Sequence, residues 1–142
     1  MMKRTVRIVF IALLLCVPSA VFPRDNAKGA GFDWEPVMDA IIQVESNGNP
    51  NARSGSSCGA MQITPILVRE CNQILKRRKS GKRFTLRDRF SVSKSKEMLL
   101  LIQSYHNPAN NVEKAIRSWN GGLKYSVKRT QRYFEKVMKA MN

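Results

Sequence analysis

Histidine, cysteine and acidic residues are scarce in this 142-residue sequence. One histidine, His106, and three cysteines, Cys16, Cys58 and Cys71, exclude a zinc site of two histidines and a glutamate, and equally a four-cysteine ribbon. A Ser-His-Asp triad would have to use His106. No glycine-rich phosphate loop occurs, which argues against nucleotide-driven chemistry. Neither a metal nor a cofactor is expected. Only 10 Asp and Glu stand against 25 Lys and Arg, giving a formal net charge of +15. Apolar residues are not scarce: at 43% they suffice for a packed core and argue against a disordered basic tail. The length sets a ceiling of one ordinary domain.

Lys3, Arg4 and Arg7, the apolar run from Ile8 to Val17, and Pro18-Ser19-Ala20 read residues 1–23 as a secretory signal peptide. The run is too short to span a bilayer as a helix. An uncleaved anchor, or acylation at Cys16, is the alternative; the bulky Leu15 argues against acylation. Cleavage takes away three of the fifteen net charges and leaves a domain, residues 24–142, near +12. The expected location is the periplasm or cell envelope, with membrane contact only through the N-terminal signal and no nucleic acid as partner. In an oxidising compartment Cys58 and Cys71 either form a disulfide or serve as two small buried hydrophobes.

The remainder reads as a string of helices. Asp33 is suited to cap a helix that carries Val37, Ile41 and Val44 on one face and stops at Asn47-Gly48. Asn49 to Ser57 reads as a loop. Thr64-Pro65 opens a second helix with Leu67, Cys71, Ile74 and Leu75 as its inner stripe. Ser91 or Ser93 caps a third, with Leu99, Ile102 and His106, ended by Asn107-Pro108. A fourth carries Val112, Ala115, Ile116 and Trp119 and stops at Gly121-Gly122. A fifth, from about Ser126, presents Phe134, Val137, Met138 and Met141. No convincing alternating strand and no repeat is found, so the fold class is all-α, or helix-dominated with a minor hairpin.

Glu45 is the acid whose position invites chemistry. It falls in the last turn of the first helix beside an apolar stripe, where the helix end disfavours negative charge and apolar neighbours remove water. Both effects raise a carboxyl pKa toward what a general acid needs. The alternative is a solvated glutamate at a helix end. The next acid, Glu70, reads as a surface residue, and Asp39 falls on another side of the first helix.

Glu45-Ser46, then Gly59-Ala60-Met61-Gln62, and later Trp119-Asn120-Gly121-Gly122 stand in an order and spacing that resemble the soluble lytic transglycosylase family. The resemblance runs from about Trp34 to Val137. It implies a lysozyme-like domain of the goose-type lysozyme kind that cleaves peptidoglycan glycan strands. It makes Glu45 the single catalytic acid, which protonates the oxygen between N-acetylmuramic acid and N-acetylglucosamine and then takes the proton of the muramoyl 6-hydroxyl. That hydroxyl closes a 1,6-anhydro end, a lyase step that needs no second carboxylate. The resemblance also makes Ser46, Met61, Gln62, Trp119, Asn120 and Tyr133 substrate-side residues, Gln62 as a hydrogen-bonder, Met61 as a ring-packing face and Tyr133 as a C-terminal helix tyrosine approaching the acid. Against these stand plain core packing for Met61, a structural loop role for Gln62, and an ordinary interhelix contact for Tyr133. Two departures bear on the substrate side: Trp119 stands where the family has tyrosine, and Ser91 to Tyr105 lacks its Asn-Ile-x-x-Gly pattern.

Between Lys76 and Arg89 there are eight basic residues and one acid, Asp88. Such a block reads as a solvated face or as a surface for an anionic polymer or membrane. Envelope machinery is a further partner the sequence leaves open. Three other functions remain: a hydrolytic muramidase on the same fold, a non-catalytic basic cell-wall-binding module, and a cysteine peptidase using Cys58 or Cys71 with His106.

Overall fold

The computed structural model describes residues 31–142; the expected signal segment, residues 1–23 with Cys16, lies outside the described residues. Five α-helices carry the described fold: α1 (Glu35–Ser46), α2 (Pro65–Arg77), α3 (Val92–His106), α4 (Val112–Gly121) and α5 (Val127–Met141). The stretch read as a loop contains a hairpin of two short antiparallel strands, β1 (Arg53–Ser54) and β2 (Ser57–Cys58), with Arg53 opposite Cys58. A 3-10 turn, Leu86–Phe90, which the sequence did not announce, leads into α3. The fold is all-α with a minor hairpin, as the sequence implies.

Side chains cap the starts of α2, α3 and α5 where the sequence implies, and Asn111, not singled out in the sequence, caps α4. Thr64, Ser91, Asn111 and Ser126 each accept a hydrogen bond from the backbone N–H three residues on, satisfying a donor that has no partner inside the helix. Helix α1 begins one residue later than the Asp33 signal suggests, with Trp34 at the cap position; Asp33 Oδ1 still accepts from the Glu35 N–H at 3.0 Å. Asn47 ends α1 in the left-handed region, at φ 53°.

The core gathers Val37, Met38 and Ile41 of α1, Cys71 and Ile74 of α2, Met98 and Leu99 of α3, Ile116 of α4 and Val137 of α5. On α2 the fully inward position belongs to Val68, with Leu67 half-buried at the edge. Cys58 and Cys71 are both buried and both free, which overturns the disulfide. The Cys71 thiol turns toward α3, 3.8 Å from the Met98 carbonyl, while Cys58 sits at the base of the hairpin. Burial pushes the Cys71 thiol up to about 12, so it carries no thiolate for peptidase chemistry.

Helix α5 packs across both α1 and α4. A buried guanidinium joins α4 to α5: Arg117 donates to Glu113, to the Val127 carbonyl, to Thr130 and to Gln131, and lies 4.4 Å from the Phe134 ring centroid. Four hydrogen bonds from one side chain, three of them to α5, fix the register of that helix and hence of Tyr133.

Candidate active site

Glu45 lies in the last turn of α1, which contains no basic residue to offset the negative end of the helix. Burial raises its pKa above the ordinary glutamate value, and a hydrogen bond from Tyr133 partly offsets the rise. The Tyr133 hydroxyl donates to Glu45 Oε1 at 2.8 Å, a contact made by the packing of α5 on α1 across 88 positions of sequence. Tyr133 is itself held well above the ordinary tyrosine pKa by burial and by the adjacent Glu45 carboxyl, so it stays a neutral donor. Among the described residues no other acid contributes to the Glu45 shift. Among the described residues Glu45 Oε2 receives no hydrogen bond, and the side chain as a whole is half-buried. One oxygen is oriented by Tyr133.

Beside the acid the chain makes a tight turn, Gly59 to Gln62. The Gln62 N–H donates to the Gly59 carbonyl at 3.1 Å, and Gln62 adopts φ 52°. Two other elements pin the turn. Ser46 at the end of α1 donates to the Ala60 carbonyl at 2.7 Å, and Trp119 Nε1 of α4 donates to the Met61 carbonyl at 3.1 Å. Three residues expected on the substrate side make structural contacts here. Met61 is fully buried in the core and has no face to offer a sugar ring. Gln62 folds back on its own turn, its Nε2 donating to the Gly59 carbonyl at 2.9 Å. The Ser46 hydroxyl donates to the Ala60 carbonyl and so joins α1 to the turn.

Trp119 and Asn120 line a groove of about 460 Å³ whose other walls include Leu67, Glu70, His106 and Leu123; Glu45 and Tyr133 are not among its lining residues. Asn120 is exposed and available for hydrogen bonding. Glu70 is not the free surface residue its helix position suggests: its Oε1 lies 2.9 Å from His106 Nε2, and both side chains are half-buried in the groove. Only the meeting of α2 with α3 reveals that pair, since the residues lie 36 apart in sequence. Asp39 is exposed and paired with Lys96 at 2.8 Å, away from Glu45 as the helical phase implies. Among the described residues no group of three or more His, Cys, Asp or Glu could hold a metal ion.

A search of curated proteins and a search of solved structures returned no match. The family model of the transglycosylase SLT domain matches residues 24–141. That span takes in every described helix, the acid at the end of α1 and the groove wall at the end of α4, so the chain belongs to the transglycosylase SLT domain family, whose role is peptidoglycan cleavage of the lytic transglycosylase type.

Proposed function

We propose that this protein is a peptidoglycan lytic transglycosylase with Glu45 as its single general acid and base. The observation that carries the reading is the state of that carboxyl: largely buried, raised in pKa and oriented through one oxygen by Tyr133. A carboxyl that holds its proton to a higher pH than an ordinary glutamate can donate it to the glycosidic oxygen as the bond from the muramoyl anomeric carbon breaks, leaving the 4-hydroxyl of N-acetylglucosamine. The resulting carboxylate takes the proton of the muramoyl 6-hydroxyl as that oxygen bonds to the anomeric carbon. The acid returns to its starting form and no water is consumed. An attacking group within the same sugar needs no second carboxylate to activate it, in keeping with the absence of another acid acting on Glu45 among the described residues. In this proposal Asn120 and the Trp119 ring, which line the groove beyond the turn, form a wall for the glycan.

The mass of the muropeptides released from purified sacculi tests this. Anhydro ends, one water lighter than reducing ends, are expected; reducing muramic ends would make the enzyme a hydrolytic muramidase, and no release at all would leave a wall-binding module. In the proposal residues 1–23 direct export, and residues 24–142 act in the periplasm or at the envelope.

Tyr133 provides a second test. Its hydrogen bond favours the ionised carboxyl, so Tyr133→Phe raises the Glu45 pKa further. Because the protonated acid starts the reaction, the alkaline limb of kcat/KM against pH moves upward. Turnover at the optimum falls about five- to tenfold, equivalent to the roughly 1 kcal/mol of one orienting hydrogen bond. An unmoved alkaline limb would show that Glu45 is not the titrating acid.

A further inference from the structure

Two members of the basic block, Lys76 and Arg83, meet Arg69 at a groove on another face of α2 from the one that carries Leu67 and Glu70. Its volume is about 530 Å³, within the usual range for ligand sites, and it runs between α2 and the segment that leads into the 3-10 turn. Val68 and Phe84, both buried, form its floor with the half-exposed Leu86, and Arg69, Lys76 and Arg83 stand at its rim. Arg69 and Lys76 are two helical turns apart on one face of α2. Arg83 is held opposite them because the next residue is clamped: Asn72 Nδ2 donates to the Phe84 carbonyl and the Phe84 N–H donates to Asn72 Oδ1, both at 2.8 Å. The segment is then closed by the Thr85–Asp88 capping box.

The acids near this groove are committed elsewhere. Glu70 faces His106, Glu97 takes Lys82 and Lys94, and Asp88 accepts from the Thr85 N–H. Arg69, Lys76 and Arg83 have no acidic partner among the described residues. Three unneutralised cations held over an apolar floor by a fixed backbone make an arrangement complementary to a chain that alternates aliphatic groups with carboxylates.

We infer that this groove binds the carboxylate-bearing stem peptides of peptidoglycan, as a second site apart from Glu45. The inference rests on the proposed function only in taking peptidoglycan as the polymer at hand. The stem peptide offers short aliphatic side chains to Val68, Phe84 and Leu86 and carboxylates to the three cations. Its engagement holds the enzyme on cross-linked wall while the glycan passes the acid.

The test compares binding of the Glu45→Gln chain to intact sacculi and to the same sacculi stripped of stem peptides by an amidase. Tighter binding to intact sacculi is expected at low salt, with the advantage fading as salt screens it. Adding Arg69→Ala, Lys76→Ala and Arg83→Ala lowers affinity for intact sacculi about tenfold and leaves binding to stripped sacculi unchanged. The pair Arg69→Lys and Arg83→Lys, which keeps the charge, retains most of the affinity. In the otherwise native chain the triple substitution leaves cleavage of stem-free glycan strands unaltered, which separates this site from the acid. Equal binding to both kinds of sacculi, or a triple variant that binds intact sacculi as its parent does, overturns the inference. So does a triple variant that loses binding to phosphatidylglycerol vesicles alone, which would assign the groove to lipid headgroups. None of these outcomes bears on whether Glu45 is the acid, which the muropeptide masses decide.

Discussion

Glu45→Gln lowers muropeptide release from purified sacculi by about a thousandfold or more, the scale on which a positioned general acid acts. The amide matches the carboxyl in size, and its oxygen can still accept from the Tyr133 hydroxyl, so the fold and the groove persist while the transferable proton is lost. Binding to sacculi changes little, because the removed function operates on the breaking bond and not on the resting polymer. The same substitution has a second signature, in stability. Burial raises the Glu45 pKa in the folded protein above its ordinary value of 4.5. Folded protein therefore holds this proton over a pH window in which unfolded protein has already released it. Stability contributed by the group is present below about 4.5 and is lost as pH rises through the folded value. Glutamine escapes that loss. Glu45→Gln consequently melts above the native protein at neutral pH, with the difference vanishing toward about pH 4. Retained lytic activity would remove Glu45 from the mechanism. Parallel melting curves at both pH values would deny the burial that the mechanism relies on.

What could be read in advance divides along a physical line. Helix ends were legible because they depend on local chemistry: Thr64, Ser91 and Ser126 cap the N–H three residues along whatever the rest of the chain does. The inward stripes followed from helical periodicity, and where the reading slipped, as with Leu67 for Val68, it slipped by one neighbour. The acid was legible for the same reason, since a carboxyl in the last turn of an amphipathic helix is a local fact. The residues around it were not. Met61, Gln62 and Ser46 lie in motifs that resemble a substrate groove, yet their partners arrive from tertiary structure: the core for Met61, the turn itself for Gln62, and the Ala60 carbonyl for Ser46. The 3-10 turn was hidden likewise. Arg89, 8% exposed, donates to the Leu86, Ser56 and Ile63 carbonyls and so ties the turn to the hairpin and to the start of α2, which no local pattern announces. Glu70 and His106 show the converse, two residues of unremarkable position that meet only when α2 lies against α3.

Gly59→Ala is expected to cost about 3 kcal/mol or more. A Cβ at position 59 would stand 1.7 Å from the Arg89 carbonyl oxygen and 2.8 Å from its carbon, so backbone must yield on one side of the contact. The residue also adopts φ 82°, which L side chains disfavour by roughly 1–2 kcal/mol. Neither side yields easily. The Arg89 backbone is held by the buried Ser95 hydroxyl and by its own triply bonded side chain, and Gly59 donates its N–H to the Ala52 carbonyl at 2.8 Å. Against a total stability of about 5–15 kcal/mol this is a drop in Tm of more than about 10 °C. Gly48→Ala isolates the backbone component, because Gly48 has φ 83° but nothing within 4 Å of the added carbon; its cost should stay near the strain alone. If the two variants melt within about 2 °C of each other, the close approach to Arg89 is not what requires glycine at 59. The consequence reaches the site. Moving the turn displaces the Ala60 and Met61 carbonyls that hold Ser46 and Trp119, so surviving folded Gly59→Ala protein loses glycan affinity even with Glu45 and Tyr133 intact. A folded variant with native KM would separate the turn from the groove wall.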